Sequence, residues 1–378
     1  MPNSISSEAR AALRLLRDRH NVLVSGPPGT GKSRLLGEIA RAFVATAPSG
    51  PVHVPGAAVA IPRTPPLAGD VAGYMPSPGR TDRKVFRTVF HQNSKYRDFV
   101  TGLMPQVGSG ASAGSTTFRI VEGTLYRASQ HAATQNGASL LIIDEINRGP
   151  AVQVFGGSIV AIESDKRLTP AGPAGPGTQY FEITRPPEGD IAEYALPHQL
   201  YIVAAMNKAD TSVEPLDVAF LRRWAPLELE PDPAVLGTYF GVLVAPPQAL
   251  PDVPATAGDV YDAMLRAWKA INARIRLGRG AEFQIGHGML MGRSIAATTL
   301  DDALIDAAET WGVIRAHVEE VFFGDLRGVA AVLNVGSYQG HPYELNDPMF
   351  ADEPRLELKG PRVITQANVY GLLRAVTG

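Results

Sequence analysis

The stretch GPPGTGKS, Gly26 to Ser33, constrains this chain more than any other. An apolar run of strand length, NVLVS (21–25), precedes it. Leu35, Leu36, Ile39, Ala40 and Phe43 follow at helical spacing. G-x-x-x-x-G-K-[ST] between a strand and a helix is a cradle for phosphate groups. Gly29 and Gly31 let the backbone curl so that N–H groups along Gly26, Pro27, Pro28, Gly29, Thr30 and Gly31 can turn towards phosphate oxygens where a donor exists. Lys32 is expected to reach the β- and γ-phosphates, and the Ser33 hydroxyl to ligand Mg2+. A chance glycine turn is the bland alternative, and the strand–helix flanks argue against it.

Two further stretches supply what such a loop lacks. LLIIDEINR (140–148) puts Asp144 at the tip of an apolar strand, where it would hold the Mg2+ shell. Glu145 beside it would polarise an attacking water. Acids also favour helix starts, so Asp-Glu could simply cap the next helix, but the phosphate loop favours hydrolysis. LDVAFLRRW (216–224) sets Arg222 and Arg223 together. Either could donate into a neighbouring subunit's site as an arginine finger, or the pair could be solvated.

IVAAMNKAD (202–210) is ambiguous. A strand followed by N-K-x-D is how small GTPases read guanine, with the strand on the base side of the phosphate-loop strand. If it lay instead between that strand and the Asp144-Glu145 strand, Asn207 would sense the γ-phosphate and orient the nucleophile. The close-following arginine pair favours the second order, leaving Lys208 and Asp210 to local bonds or subunit contacts.

Short apolar strands alternating with helices over the first ~230 residues predict an α/β fold with a parallel sheet covered on both faces. We expect this domain to span 1–230. It would carry a Pro/Gly-rich insertion at about 47–84, with eight prolines, and a hairpin insertion at about 169–199. SLLIID (139–144) and LYIVAAM (200–206) read as buried strands, and about 150–164 as a helix. GSGASAGS (108–115) reads as a connector. VYDAMLRAWKAINARIRL (260–277) and DDALIDAAETWGVIRAHVEEVFF (301–323) predict a smaller helical domain over 231–330. The last stretch, 331–378, is mixed and suggests no role.

The 378 residues hold no cysteine, which excludes disulfides, thiolate metal sites and Cys nucleophiles. A net charge of −2 gives no global basic signal, so DNA contact is expected to be local or to belong to a partner. The 47–84 insertion and the run GRTDRKVFR (79–87) could face a channel, although a basic run is more often solvated surface. No apolar run approaches the roughly 18 residues of a membrane span. The N-terminus interleaves Arg and Glu with Ala and Leu, unlike a signal peptide, so a cytoplasmic location is expected.

These parts in this order resemble the AAA+ ring NTPases and, among them, the McrB family of GTP-driven restriction motors. TVFHQNSKYRDFVTGLMP (88–105), FRIVEGTLYRAS (118–129), DEINRGPAVQVFGGSIVAIESDKRL (144–168), LPHQLYIVAAMNKADTSVEPLDVAFLRRW (196–224) and FQIGHGML (283–290) carry the likeness. It implies ATP or GTP as substrate with Mg2+, a hexameric ring, and a McrC-like nuclease partner through which DNA is met in phage defence. It also implies a helical lid in which Arg293 or His287 contacts the nucleotide. The chain departs from the family's pattern at Gly157, which replaces an acidic position, in having two arginines for three, and at Lys208. With the phosphate loop so near the first residue, we also expect no DNA-reading domain before the motor. D-E-I-N-R is shared with MoxR-like chaperone ATPases, so a protein-remodelling ATPase and a nucleotide-switched scaffold are the rival readings.

Overall fold

Apolar runs become the central strands β1, β5 and β8 of a five-stranded parallel sheet in a computed structural model. It describes residues 5–45, 73–107, 116–209, 216–244, 248–292, 295–336, 340–361 and 363–378. The chain forms two compact units. One comprises Met1–Ser25 and Lys32–Glu228; the other comprises Gly26–Gly31 and Leu229–Gly378.

The first unit runs α1 (Ser7–Arg19), β1 (Asn21–Gly26), α2 (Lys32–Ala45), β2 (Asp82–Val89), α3 (Tyr96–Phe99), β3 (Thr101–Val107), β4 (Thr116–Glu122), α4 (Thr124–Ala133) and β5 (Gly137–Asp144). It continues through α5 (Ala151–Phe155), α6 (Ser158–Ala161), β6 (Phe181–Thr184), β7 (Ile191–Tyr194), β8 (Leu200–Asn207), α7 (Val218–Leu221) and β9 (Ala225–Glu228). The sheet order is β2-β5-β8-β1-β9. β2, β5 and β8 run parallel to one another, and β1 runs parallel to β9. Register is fixed by pairs such as Val89 with Asp144 and Ile143 with Ala204.

β5 is buried for seven residues and emerges only at Asp144; β8 is buried for six and emerges at Met206 and Asn207. Strands buried along both faces need helices over them, and α1, α2 and α4 pack against the sheet. The polar tips mark the C-terminal edge, where parallel sheets carry their chemistry. β8 lies between β1 and β5, as the AAA+ order requires and the small-GTPase order does not.

The helix expected over about 150–164 is two short helices. Gly156 breaks it at φ 48, with the Tyr96 ring 2.7 Å from where a Cβ would stand. At the next residue a Cβ on Gly157 would lie 3.2 Å from that of Phe181 on β6. Gly157 is otherwise exposed, so nothing in the structure explains the absence of the acidic side chain the resemblance predicts there. β6 and β7 pair antiparallel, as the alternation of TQYFEIT suggests; β3 and β4 form a second hairpin. Residues 47–72, 108–115, Asp210 and Arg293 lie outside the described residues. Tyr74 and Met75 are buried, and β2 begins at Asp82, within the stretch whose prolines read as irregular. Arg83 organises this segment by donating to the carbonyls of Phe43, Pro76 and Ser77.

At the opposite end of the sheet from Asp144, Arg167 is buried and donates to the carbonyls of Ile162 and Leu200 and to Asn21 Oδ1. His20 and His198 meet edge to face beside it, ring centroids 4.5 Å apart.

The second unit holds α8 (Pro233–Phe240), α9 (Ala257–Gly278), α10 (Leu300–Val321) and α11 (Leu326–Val332). Two small antiparallel ribbons follow, β10 (Glu344–Asn346) with β13 (Glu357–Lys359) and β11 (Met349–Phe350) with β12 (Glu353–Pro354). The chain then forms α12 (Gln366–Thr377). Thr256 and Asp259 form a capping box at the start of α9. Trp268 and Trp311 centre the core, and Val369, Leu372, Leu373 and Val376 of α12 close it. Each such side chain, once buried, contributes roughly 1.5–3 kcal/mol, so α12 is integral to this unit.

Candidate functional site

Within the first unit, three elements bring polar groups to the C-terminal edge of the sheet. α2 begins at Lys32 and Ser33, directly after the glycine loop, so its free N–H groups and positive dipole end lie there. Burial lowers the Lys32 pKa, while the nearby charges of Glu145 and Asp144 pull it back up. The ammonium and the two carboxylates therefore share one electrostatic environment. Ser33 is exposed at the first turn of α2.

Asp144 ends β5, and its Oδ1 accepts from the Glu145 N–H at 3.0 Å. Glu145 then takes the left-handed conformation, φ 52 and ψ 45, before the 3-10 turn Ile146–Arg148. Few non-glycine residues adopt it, and the cost is borne where a side chain has to be aimed. Arg148 Nε stands 3.3 Å from Glu145 Oε2, yet that oxygen is buried without a hydrogen bond.

Asn147 was missed in the sequence. Its Nδ2 donates to the Asn207 carbonyl at 2.9 Å, tying the turn after β5 to the tip of β8. The Oδ1 atoms of Asn147 and Asn207 are both buried without partners. They lie beside Glu145 Oε2, which has its ion pair with Arg148 but no hydrogen bond, and buried acceptors left so cost free energy unless a ligand satisfies them. The signal for Asn147 was its position three residues after Asp144, too common a spacing to single it out.

Lys208 is exposed and pairs with Glu228 at 2.9 Å. The two arginines diverge. Arg223 pairs with Glu163 at 2.9 Å and donates to the Ala219 carbonyl, its side chain only 7% exposed. Arg222 is exposed; its guanidinium makes no ion pair or hydrogen bond among the described residues. The D-K-R stretch thus has structural work: Glu163 holds Arg223, and Arg167 pins the strand starts. The F-H-Q turn packs against the D-E-I-N-R-G turn, since a Cβ on Gly149 would lie 2.7 Å from the His91 carbonyl oxygen.

Among the described residues no cluster of three His, Cys, Asp or Glu could hold a metal. Asp144 and the Ser33 hydroxyl fit Mg2+, which keeps few protein ligands and relies on phosphates and water. The orphaned oxygens beside them are acceptors of the kind such an ion's waters satisfy.

Within the second unit, the loop Gly26–Gly31 curls through Gly29 at φ 77 and Gly31 at φ 85, and Thr30 Oγ1 closes it by donating to the Pro27 carbonyl at 2.9 Å. Such φ values favour glycine, as the motif requires. Gly286 and Gly288 donate their N–H groups to the carbonyls of Pro28 and Gly29 at 2.9 and 2.8 Å. His287 Nδ1 accepts from the Asp232 N–H at 3.2 Å.

A phosphate loop, a D-E strand and an Asn-tipped strand between them define a P-loop NTPase fold of the AAA+ class. A model of the AAA domain matches residues 15–153. The chain is 27% identical over 220 residues to the "Type IV methyl-directed restriction enzyme EcoKMcrB subunit" of Escherichia coli (strain K12), covering 58% of this chain and 37% of that protein. It is 38% identical over 104 residues to the "Type II restriction enzyme BsuMI component YdiS" of Bacillus subtilis (strain 168), covering 24% and 27% respectively. A solved structure of a candidate ATPase from Cytophaga hutchinsonii covers 92% of this chain and 82% of its own, at 14% identity and a TM-score of 0.31. That score is too low to bear on the argument. The chain is thus similar to AAA domains over 15–153 and to two restriction-system components, and its matches span 37% and 27% of those two curated relatives' lengths. No helix among the described residues is long and apolar enough to cross a membrane.

Proposed function

We propose that this chain hydrolyses ATP or GTP and works as a subunit of a ring-shaped motor that drives a separately encoded effector, a McrC-like nuclease, in DNA restriction. The observation that carries the hydrolytic reading is the strand order. β8 between β1 and β5 puts Asn207 on the same side of the phosphate-loop strand as Asp144 and Glu145. The restriction reading rests on likeness to two restriction-system components.

In this reading Lys32 binds the β- and γ-phosphates, and Asp144 with Ser33 holds Mg2+, which would neutralise charge on the phosphates. Glu145 accepts a hydrogen bond from the attacking water and takes up its proton, its carboxylate aimed by the left-handed backbone. Asn207 donates to the γ-phosphate, its strand tip held by Asn147. Arg222 is the finger for a neighbouring copy, because Arg223 is committed to Glu163 within its own subunit. Lys208 is occupied by Glu228, so N-K-x-D carries no argument for guanine, and the choice between ATP and GTP rests on likeness alone.

The test is hydrolysis of ATP and GTP side by side, at several protein concentrations, with and without DNA. Turnover per subunit that rises with concentration supports a site completed by a neighbour. Equal turnover at every dilution, with a monomer in the presence of nucleotide, defeats the ring.

A further inference from the structure

The contact between Gly26–Gly31 and Gly286–Met289, both in the second unit, is more extensive than a passing one. A Cβ on Gly286 would meet the Gly29 carbonyl carbon at 2.1 Å and the Pro28 carbonyl oxygen at 2.4 Å. Gly286 sits at φ −68, so no backbone demand explains the glycine; the space does. One on Gly288 would lie 2.9 Å from the Gly29 oxygen, and the Met289 side chain lies 2.5 Å from where a Cβ on Gly29 would be. Two backbone hydrogen bonds, from Gly286 to Pro28 and from Gly288 to Gly29, lie along this approach. His287 adds a third point. Its Nδ1 accepts from Asp232, which leaves the ring proton to Nε2, and that nitrogen lies 4.0 Å from the Cβ position of Gly31.

We infer that Gly286–Met289 is a strap that fixes the curl of the phosphate loop, with Gly286 and His287 as positioning residues for the nucleotide's phosphates. The inference rests on the nucleotide-binding reading above. Pro28 and Gly29 carry two of the carbonyls that orient the loop's peptide planes. Bonding those carbonyls from behind turns the N–H groups of the same planes towards the phosphates and removes conformations in which they point elsewhere. The strap acts on the loop and not on the base, so its loss falls alike on ATP and GTP.

The test measures binding of ATP, ADP, AMP and GTP by calorimetry to the full chain and to the variants Gly286→Ala, His287→Ala, His287→Asn, His287→Gln and Gly292→Ala. Gly292 has nothing within 4 Å of its Cβ position and serves as the control. Expected are at least tenfold weaker ATP, ADP and GTP binding for G286A and H287A, with AMP changed less than threefold and G292A unchanged. H287Q, which can place a nitrogen near Nε2, should restore more affinity than H287N, which keeps only the acceptor for Asp232. Unaltered affinity in G286A, a uniform loss that includes AMP, or full rescue by H287N overturns the strap. If G286A does not fold, the His287 series decides alone. A native chain that binds neither ATP nor GTP sinks the nucleotide reading itself, an outcome distinct from the others.

Discussion

Glu145 carries a conformational cost that can be measured separately from its chemistry. At φ 52 and ψ 45 an L-residue is destabilised by roughly 1–2 kcal/mol relative to the right-handed region. Glycine avoids that cost, but its freer unfolded chain returns roughly 0.5–1 kcal/mol. Glu145→Ala and Glu145→Gly both delete the carboxylate, including the buried Oε2 that lacks a hydrogen bond, so the difference between them isolates the backbone. The glycine variant is expected to be more stable than the alanine variant by about 0.5–1 kcal/mol, a shift of about 2 °C in melting temperature. Both should lose turnover by about 10²–10⁴-fold, the usual contribution of a positioned base. Thermal unfolding without nucleotide gives the first number and steady-state hydrolysis the second. An alanine variant as stable as the glycine variant would show that the left-handed turn stores no strain. Turnover surviving in either would remove Glu145 from the chemistry.

The arginines should separate cleanly: Arg222→Ala should lower turnover about 10³-fold with melting unchanged. Arg223→Ala, which leaves Glu163 without its partner, should destabilise the fold by about 3 kcal/mol, seen in denaturant unfolding. For Lys32, burial lowers the pKa from 10.5 and the two carboxylates oppose it, so Glu145→Gln should lower it further. Only the cation holds phosphate, so the alkaline decline of nucleotide affinity, followed by calorimetry across pH, should move to lower pH in that variant. Burial, then the charges of Arg167 and His198, push His20 down to about 2. The unfolded chain takes up a proton near 6.5 that the folded one refuses, so this stability is complete above pH 6.5 and lost as pH falls towards 2. His20→Asn, which tolerates φ 63, should flatten the acid limb of a melting profile.

Local patterns made the first unit readable. Strand, glycine loop and helix are contiguous, and the apolar runs ending in Asp144 and Asn207 announce both burial and the edge where it stops. What escaped depends on partners distant in sequence. The helix breaks at Gly156, where φ is 48, and Tyr96, sixty residues earlier, occupies the place any Cβ there would take. The divergence of Arg222 and Arg223 turns on Glu163, which spacing does not connect to them. Gly286 reads as an ordinary loop glycine until Pro28 and Gly29 are beside it. Among its described residues the segment 331–378 holds the 12-residue α12 and two small ribbons, and the value of α12 lies in a core built from α9 and α10.

Arg167 has a consequence for motion. It ties the starts of β1 and β8 and the end of the α6 segment through groups up to 146 residues apart, far from Asp144. A sheet stitched at that margin yields most readily by splaying at the other. Work done on phosphate should therefore show up as a spreading of the tip of β8 from that of β1, and hardly at all where those two strands begin.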